Sequence, residues 1–424
     1  MTAPELLCPA GSLKHLEYAF AYGADAVYAG LPRYSLRVRN NSFNAHNLKA
    51  GIDRAHELGK KFYLVANIQP HNAKVDSFLK DMAPLIEMGP DALIMSDPGL
   101  IMLVREAFPE MPIHLSVQAN AINHASVRFW ARQGIERVIL SRELSLNEIA
   151  VIRERCPDVE LEVFVHGALC MAFSGRCLLS GYINRRDPNQ GACTNACRWQ
   201  YQAAPASEDG CGQAVQLAEP RLMLLEEKSR PGELMAAEED EHGSYIFNSK
   251  DLRAVQHVAA LTAMGVHSLK IEGRTKSHYY VARTAQIYRR AIDDAVAGLP
   301  FDDQYLQDLE HLANRGYTEG FLNRHGDAAM QNYQSGAPSS PHQFVGEVTS
   351  DEGGWLQIAV KNRFALGDQL LLVTPKGNHG FILETLQNHK GEPMAVAPGD
   401  GHQVQIPRPE GADGQMGLLV RLEA

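Results

Sequence analysis

Four cysteines stand in the order Cys170-x6-Cys177-x15-Cys193-x3-Cys197. Thiolates are soft ligands that suit iron–sulfur clusters and zinc. Ligands this close in sequence converge on one centre if the chain folds back between them. Ser174-Gly175, Pro188-Asn189 and Gly191 are the turn formers that let it do so. Structural zinc sites are built from paired Cys-x2–4-Cys knuckles, and only the second pair here has that spacing. Spacing therefore ranks a cluster ahead of zinc and leaves both open, with unligated thiols behind them. Seven cysteines in 424 residues are too few for a disulfide framework. Cys8, Cys156 and Cys211 read as bystanders, since a buried free cysteine behaves as a small hydrophobe.

Something must hold those cysteines in place, and the pattern around them supplies it. Short apolar runs at Leu6–Cys8, Ala26–Ala29, Phe62–Asn67, Ala92–Ser96, Ile113–Val117, Arg137–Leu140 and Leu161–Val165 alternate with amphipathic helical stretches. An eighth run, Ser268–Ile271, lies between helices expected at Asp251–Met264 and Tyr279–Val296. Ser145 with Glu148 makes a capping box at one helix start. Eight such strand–helix units specify a parallel sheet closed into a (β/α)8, TIM-like barrel. An open doubly wound sheet is the competitor, but no Gly-x-Gly-x-x-Gly turn follows the first strand. Cys170 comes straight after the seventh strand, at the C-terminal rim where barrel active sites are built.

The expected organisation is a barrel over residues 1–300 containing a long insertion at 167–245, a helical and irregular linker at 301–339, and a small all-β barrel module at 340–424. An insertion of that length is functional or disordered rather than a plain connection. The net charge of −10 argues against a general nucleic-acid binder. One cluster of acid, however, falls at Glu226, Glu227 and Glu238–Glu241 in the insertion, while arginines gather elsewhere. No apolar run is long enough to span a bilayer, and the first residues lack a secretory pattern, so a cytoplasmic protein with no membrane partner is expected.

The run from Glu162 to Ser180 (EVFVHGALCMAFSGRCLLS) closely resembles the signature of the collagenase-like family filed as peptidases of unknown type. Asn248–Leu252 (NSKDL), Lys270–Lys276 (KIEGRTK), Pro9–Ser12 (PAGS) and Gly23–Gly30 (GADAVYAG) match further blocks of that family, and the likeness extends over nearly the whole chain. It is strongest to the family's tRNA-hydroxylating members. The resemblance implies oxygen-independent, prephenate-dependent 5-hydroxylation of the wobble uridine of tRNA. It also implies a 4Fe–4S cluster on Cys170, Cys177, Cys193 and Cys197, and an electron donor of unknown identity. The role of the cluster stays open between electron transfer, substrate binding and structural order. Two other classes remain. One is an RNA-binding scaffold with a structural zinc; the other is a peptidase, for which neither a His-Glu-x-x-His nor a Gly-x-Ser-x-Gly motif is present.

Prephenate is a dicarboxylate, so its site needs fixed cations. Arg274, Lys276 and Arg142 follow barrel strands and are the candidates. Gln118, Asn120 and Asn67 end strands on the same rim and are candidates for orienting a substrate. Glu272 and His166 are the candidate catalytic residues. Arg33, Arg37 and Arg39 follow the second strand and alternate with apolar residues, which suggests one basic side facing RNA phosphates.

Overall fold

The computed structural model describes residues 2–36, 42–170, 172–178, 180, 187–190, 193, 250–323 and 342–422, with the backbone of five short strands between residues 206 and 245. Eight parallel strands close into a barrel. They are β1 (Glu5–Pro9), β2 (Ala26–Ala29), β3 (Lys61–Ala66), β4 (Ala92–Met95), β5 (Ile113–Leu115), β6 (Arg137–Ile139), β7 (Glu160–Ala168) and β9 (Ser268–Ile271). Each pairs in parallel with the next, and β9 pairs with both β7 and β1, which completes the ring. No Gly-rich dinucleotide turn interrupts it, and the open-sheet alternative is set aside.

The helices between the strands start where the sequence signals them. Ser145 and Glu148 form a reciprocal capping box at the helix Leu146–Arg155. Ser277 caps the long helix His278–Ala297 by accepting from the Tyr280 N–H. This helix is the one the chain buries most fully, and it packs against β1 and the first helix, Leu13–Ala21.

One expectation is corrected. Asp251–Met264 is not a single helix. Asp251–Arg253 is a strand, β8, antiparallel to the end of β7, followed by a 3-10 turn at Val255–His257 and a short helix at Val258–Ala263. The reason lies in β7, which outruns its barrel neighbours by several residues and leaves a free edge there. Ala168, Gly167 and His166 take Asp251, Leu252 and Arg253 as partners, and backbone groups on an exposed edge need such partners. Tyr317–Thr318 then adds to β8 in parallel.

The C-terminal region is all-β, with seven strands in one antiparallel sheet and its own apolar core around Leu356, Ile358, Phe364 and Leu419. It is docked on the barrel. Val373, Leu418 and Val420 join the barrel's core cluster. The Tyr22 hydroxyl lies 2.9 Å from the carbonyls of both Val373 and Met416. Glu347 bridges Lys14 and His278 across the junction. No described helix is long and apolar enough to cross a membrane.

Candidate active site at the barrel mouth

Side chains alternate in and out along each strand, and the inward set at the C-terminal end encloses a cavity of about 800 Å³ of atom-free space, part of it open to solvent. Tyr28, Ile94, Ile139 and Phe164 form its apolar wall. Asn67, Ser116 and Gln118 form a polar wall in which each bonds to another: Asn67 Nδ2 donates to Ser116 Oγ at 3.1 Å and to Gln118 Oε1 at 3.2 Å. Lys270, Glu272, Arg274 and Arg142 bring charge to the remaining wall.

These charged side chains are held firmly. The Arg274 guanidinium donates to Ser35 Oγ at 2.6 Å and to the Leu36 carbonyl, so it also orders the loop after β2. Arg142 stacks 3.8 Å over the Phe164 ring and donates to Ser174 Oγ at 3.1 Å. Glu272 lies 3.5 Å from the Tyr28 hydroxyl. Two residues down each strand lies a buried ionic floor. Glu162 is fully buried and accepts from Lys270 Nζ at 2.8 Å and Arg137 Nη1 at 3.4 Å. Arg137 also contacts Glu5 and Glu160, and Tyr63 donates to Glu5 at 2.7 Å. Burial presses the Lys270 ammonium towards its neutral form, against the pull of Glu162.

The segment after Cys170 folds over this mouth. Asn120, in a left-handed conformation, donates to the Ser174 carbonyl at 3.1 Å. Asn189 donates to the Cys177 carbonyl at 3.3 Å, and its own carbonyl accepts from the Gln69 N–H. As a result Cys170, Cys177 and Cys193 all line the cavity. Cys197 lies outside the described residues, as do Arg37, Arg39 and Cys211. Cys8 is fully buried, and burial pushes its thiol far above the ordinary range. Among the described residues no cysteine is in a disulfide, and no group of three or more His, Cys, Asp or Glu stands close enough to hold a single metal ion.

The remaining predicted residues fall in different places. Lys276 turns away from the cavity, towards the Ala313 carbonyl and the Tyr280 ring. Asn120 supports the covering segment through its amide, with its Nδ2 also on the Gln118 carbonyl. Arg33 sits outside the cavity, in an ion pair with Asp81 at 3.0 Å, with half its side chain exposed. His166 is fully buried on the outer side of β7, among Tyr280, Tyr288 and Tyr317. The irregularity between Lys270 and Ile271 in the β7–β9 register shifts the alternation at that point. Burial pushes the His166 imidazole down to about 3. Sequence reasoning missed Lys270, Glu162, Tyr28 and Phe164. Counting back by two from Glu272 along its strand would have placed Lys270 inside the barrel.

The barrel matches the model for "Peptidase family U32" over residues 11–332, and the β-module matches "Peptidase family U32 C-terminal domain" over residues 340–421. The chain belongs to peptidase family U32. Its relatives include "tRNA hydroxylation protein P" of Escherichia coli K12, 62% identical over 99% of this chain and 97% of that protein. The protein of the same name from Haemophilus influenzae is 60% identical over 99% and 96%. The E. coli "23S rRNA 5-hydroxycytidine C2501 synthase" is 28% identical over 96% of this chain and 58% of its own length.

Proposed function

We propose that this chain is a tRNA hydroxylase that installs the 5-hydroxyl of wobble uridine without molecular oxygen, with prephenate as co-substrate and a 4Fe–4S cluster on Cys170, Cys177, Cys193 and Cys197. The full-length likeness to proteins named for tRNA hydroxylation carries the reaction class. The 5-hydroxylated pyrimidine in the name of the rRNA-modifying relative supports the position on the base.

The cavity supports the co-substrate. Arg142 and Arg274 are fixed guanidinium groups on one wall, and such forks suit carboxylates. The Asn67–Ser116–Gln118 wall offers polar groups already oriented by their mutual hydrogen bonds. Tyr28, Ile94 and Phe164 lie among these polar groups and limit water in the cavity, which strengthens every charge interaction inside. Glu272 Oε2 is the carboxylate in the wall able to take a proton from bound substrate.

The cysteine set fits a cluster. Cys170, Cys177 and Cys193 line one cavity, so three of the four thiols lie where a shared centre would sit, and thiolates are the ligands iron–sulfur clusters take. Such a cluster supplies a one-electron path when bound. Proteolysis finds no support here, because His166 is packed against Tyr288 and away from the cavity that holds the cysteines.

The test is mass spectrometry of tRNA nucleosides from a strain lacking this gene, grown without oxygen so that no oxygen-dependent enzyme masks the loss. The 5-hydroxyuridine pool should vanish, return with the wild-type gene, and stay absent with Cys193→Ala. The anaerobically purified protein should be brown, with about four iron and four sulfide per chain. An unchanged nucleoside pool would refute the activity, and one zinc per chain would refute the cluster.

A further inference from the structure

Lys270 is hard to explain by packing. It is 3% exposed, yet the residue lines the cavity rather than a sealed core. It stands 4.3 Å from the Tyr28 ring centroid, 5.5 Å from that of Phe164, and 2.8 Å from Glu162 Oε1. Glu162 does not need it for neutralisation, because Arg137 already contacts the same carboxylate. A buried lysine–glutamate pair gains little over apolar residues of the same volume. A lysine desolvated between aromatic rings, with a carboxylate on its nitrogen and two arginines on the same wall, has the surroundings of an amine nucleophile.

We propose that Lys270 forms an imine with the carbonyl of a 2-oxo acid held by Arg142 and Arg274. The inference rests on the co-substrate reading above, since prephenate carries a pyruvyl arm. Glu162 Oε1 takes one proton from the Lys270 ammonium. The freed amine adds to the C2 carbonyl, forming the C–N bond, and the second nitrogen proton moves to the carbonyl oxygen. Glu162 returns its proton to the resulting hydroxyl, the C–O bond breaks and water leaves. The product iminium carries the same single positive charge as the ammonium it replaces, so the pair with Glu162 and the faces of Tyr28 and Phe164 are kept. No electrons are gained or lost. The iminium draws electron density from the neighbouring carbons, which is chemistry a bound ketone alone does poorly.

The test is reductive trapping. Anaerobically purified holoprotein is incubated with sodium cyanoborohydride and either prephenate or pyruvate, then analysed by intact mass and peptide mapping. Prephenate binding is measured separately by calorimetry without reductant. The expected result is one reduced adduct mapped to the Lys270 peptide and absent from Lys270→Arg, which keeps a cation on Glu162 but cannot form the imine. If that variant does not fold, the wild-type peptide map decides alone. Prephenate binding without a Lys270 adduct from either acid overturns the imine and leaves the co-substrate reading standing. A Lys270 adduct from pyruvate without prephenate binding supports the lysine chemistry and overturns prephenate. Label spread over surface lysines alike in both proteins overturns the imine.

Discussion

Replacing Glu162 by Gln tests whether the floor of the cavity is ionic. Glu162 is fully buried and lies between two cations that are themselves 4% exposed or less at the side chain. Removing one partner of such a pair costs about 3–5 kcal/mol, because a charge is left buried and uncompensated. Arg137 keeps Glu5 at 2.5 Å and Glu160 at 2.7 Å, so the loss falls mainly on Lys270 and belongs near the lower end. A barrel of roughly 300 residues has an unfolding entropy of about 0.6 kcal/mol/K, and a 3 kcal/mol loss lowers Tm by roughly 5 °C. Thermal melts followed by circular dichroism measure this directly. The double variant Glu162→Gln/Lys270→Met removes both charges and should recover most of the lost stability. A fall of less than about 2 °C in the single variant, or no recovery in the double, would refute the reasoning.

Two further outcomes follow from the same structure. At Gly167, φ is +109° and an added Cβ would lie 2.4 Å from the Glu272 carbonyl oxygen, so Gly167→Ala should cost roughly 2–4 kcal/mol; an unchanged Tm would show that β7 and Glu272 do not approach so closely. Hydrogen bonding from His278, with help from Lys14 and against the pull of burial, holds the Glu347 carboxyl down to about 2 from an ordinary 4.5. A carboxyl lowered on folding adds stability that is full above its unfolded value and lost as pH falls through the folded one. The Tm advantage of wild type over Glu347→Gln should therefore shrink between pH 4.5 and pH 2, and an advantage constant across that window would rule out this carboxylate as its source.

The barrel was legible because each of its strands carries its own signal: a short apolar run bounded by turn residues, as at Ala26–Ala29 or Ala92–Met95. β8 was not, because three residues of Asp-Leu-Arg become a strand only where the overrun of β7 offers an edge, and that edge is not written in their own sequence. The same limit governed the site. Arg142, Arg274, Asn67, Gln118 and Glu272 were found by their position just after strands, and all five line the cavity. Lys276, two residues beyond Arg274, could not be distinguished from it by position alone, yet its side chain goes the opposite way. His166 reads as a rim residue until the register shift beside it is known. Lys270 and Glu162 escaped attention because charges inside strands are hard to read as buried without knowing which face turns inward.

The pairing of Ala168 with Asp251 has a consequence for how this chain varies. Residues 169–250 leave and re-enter the barrel at neighbouring backbone positions, and Arg315 holds that junction through Asp251 at 2.5 Å. A segment tied at its neck makes no demand on the barrel for its length. Doubling such a loop adds only about 0.6 kcal/mol of closure entropy. The outer part of the insertion can therefore change in length at small entropic cost, while Cys170, two residues beyond Ala168 at the neck, keeps its place at the cavity.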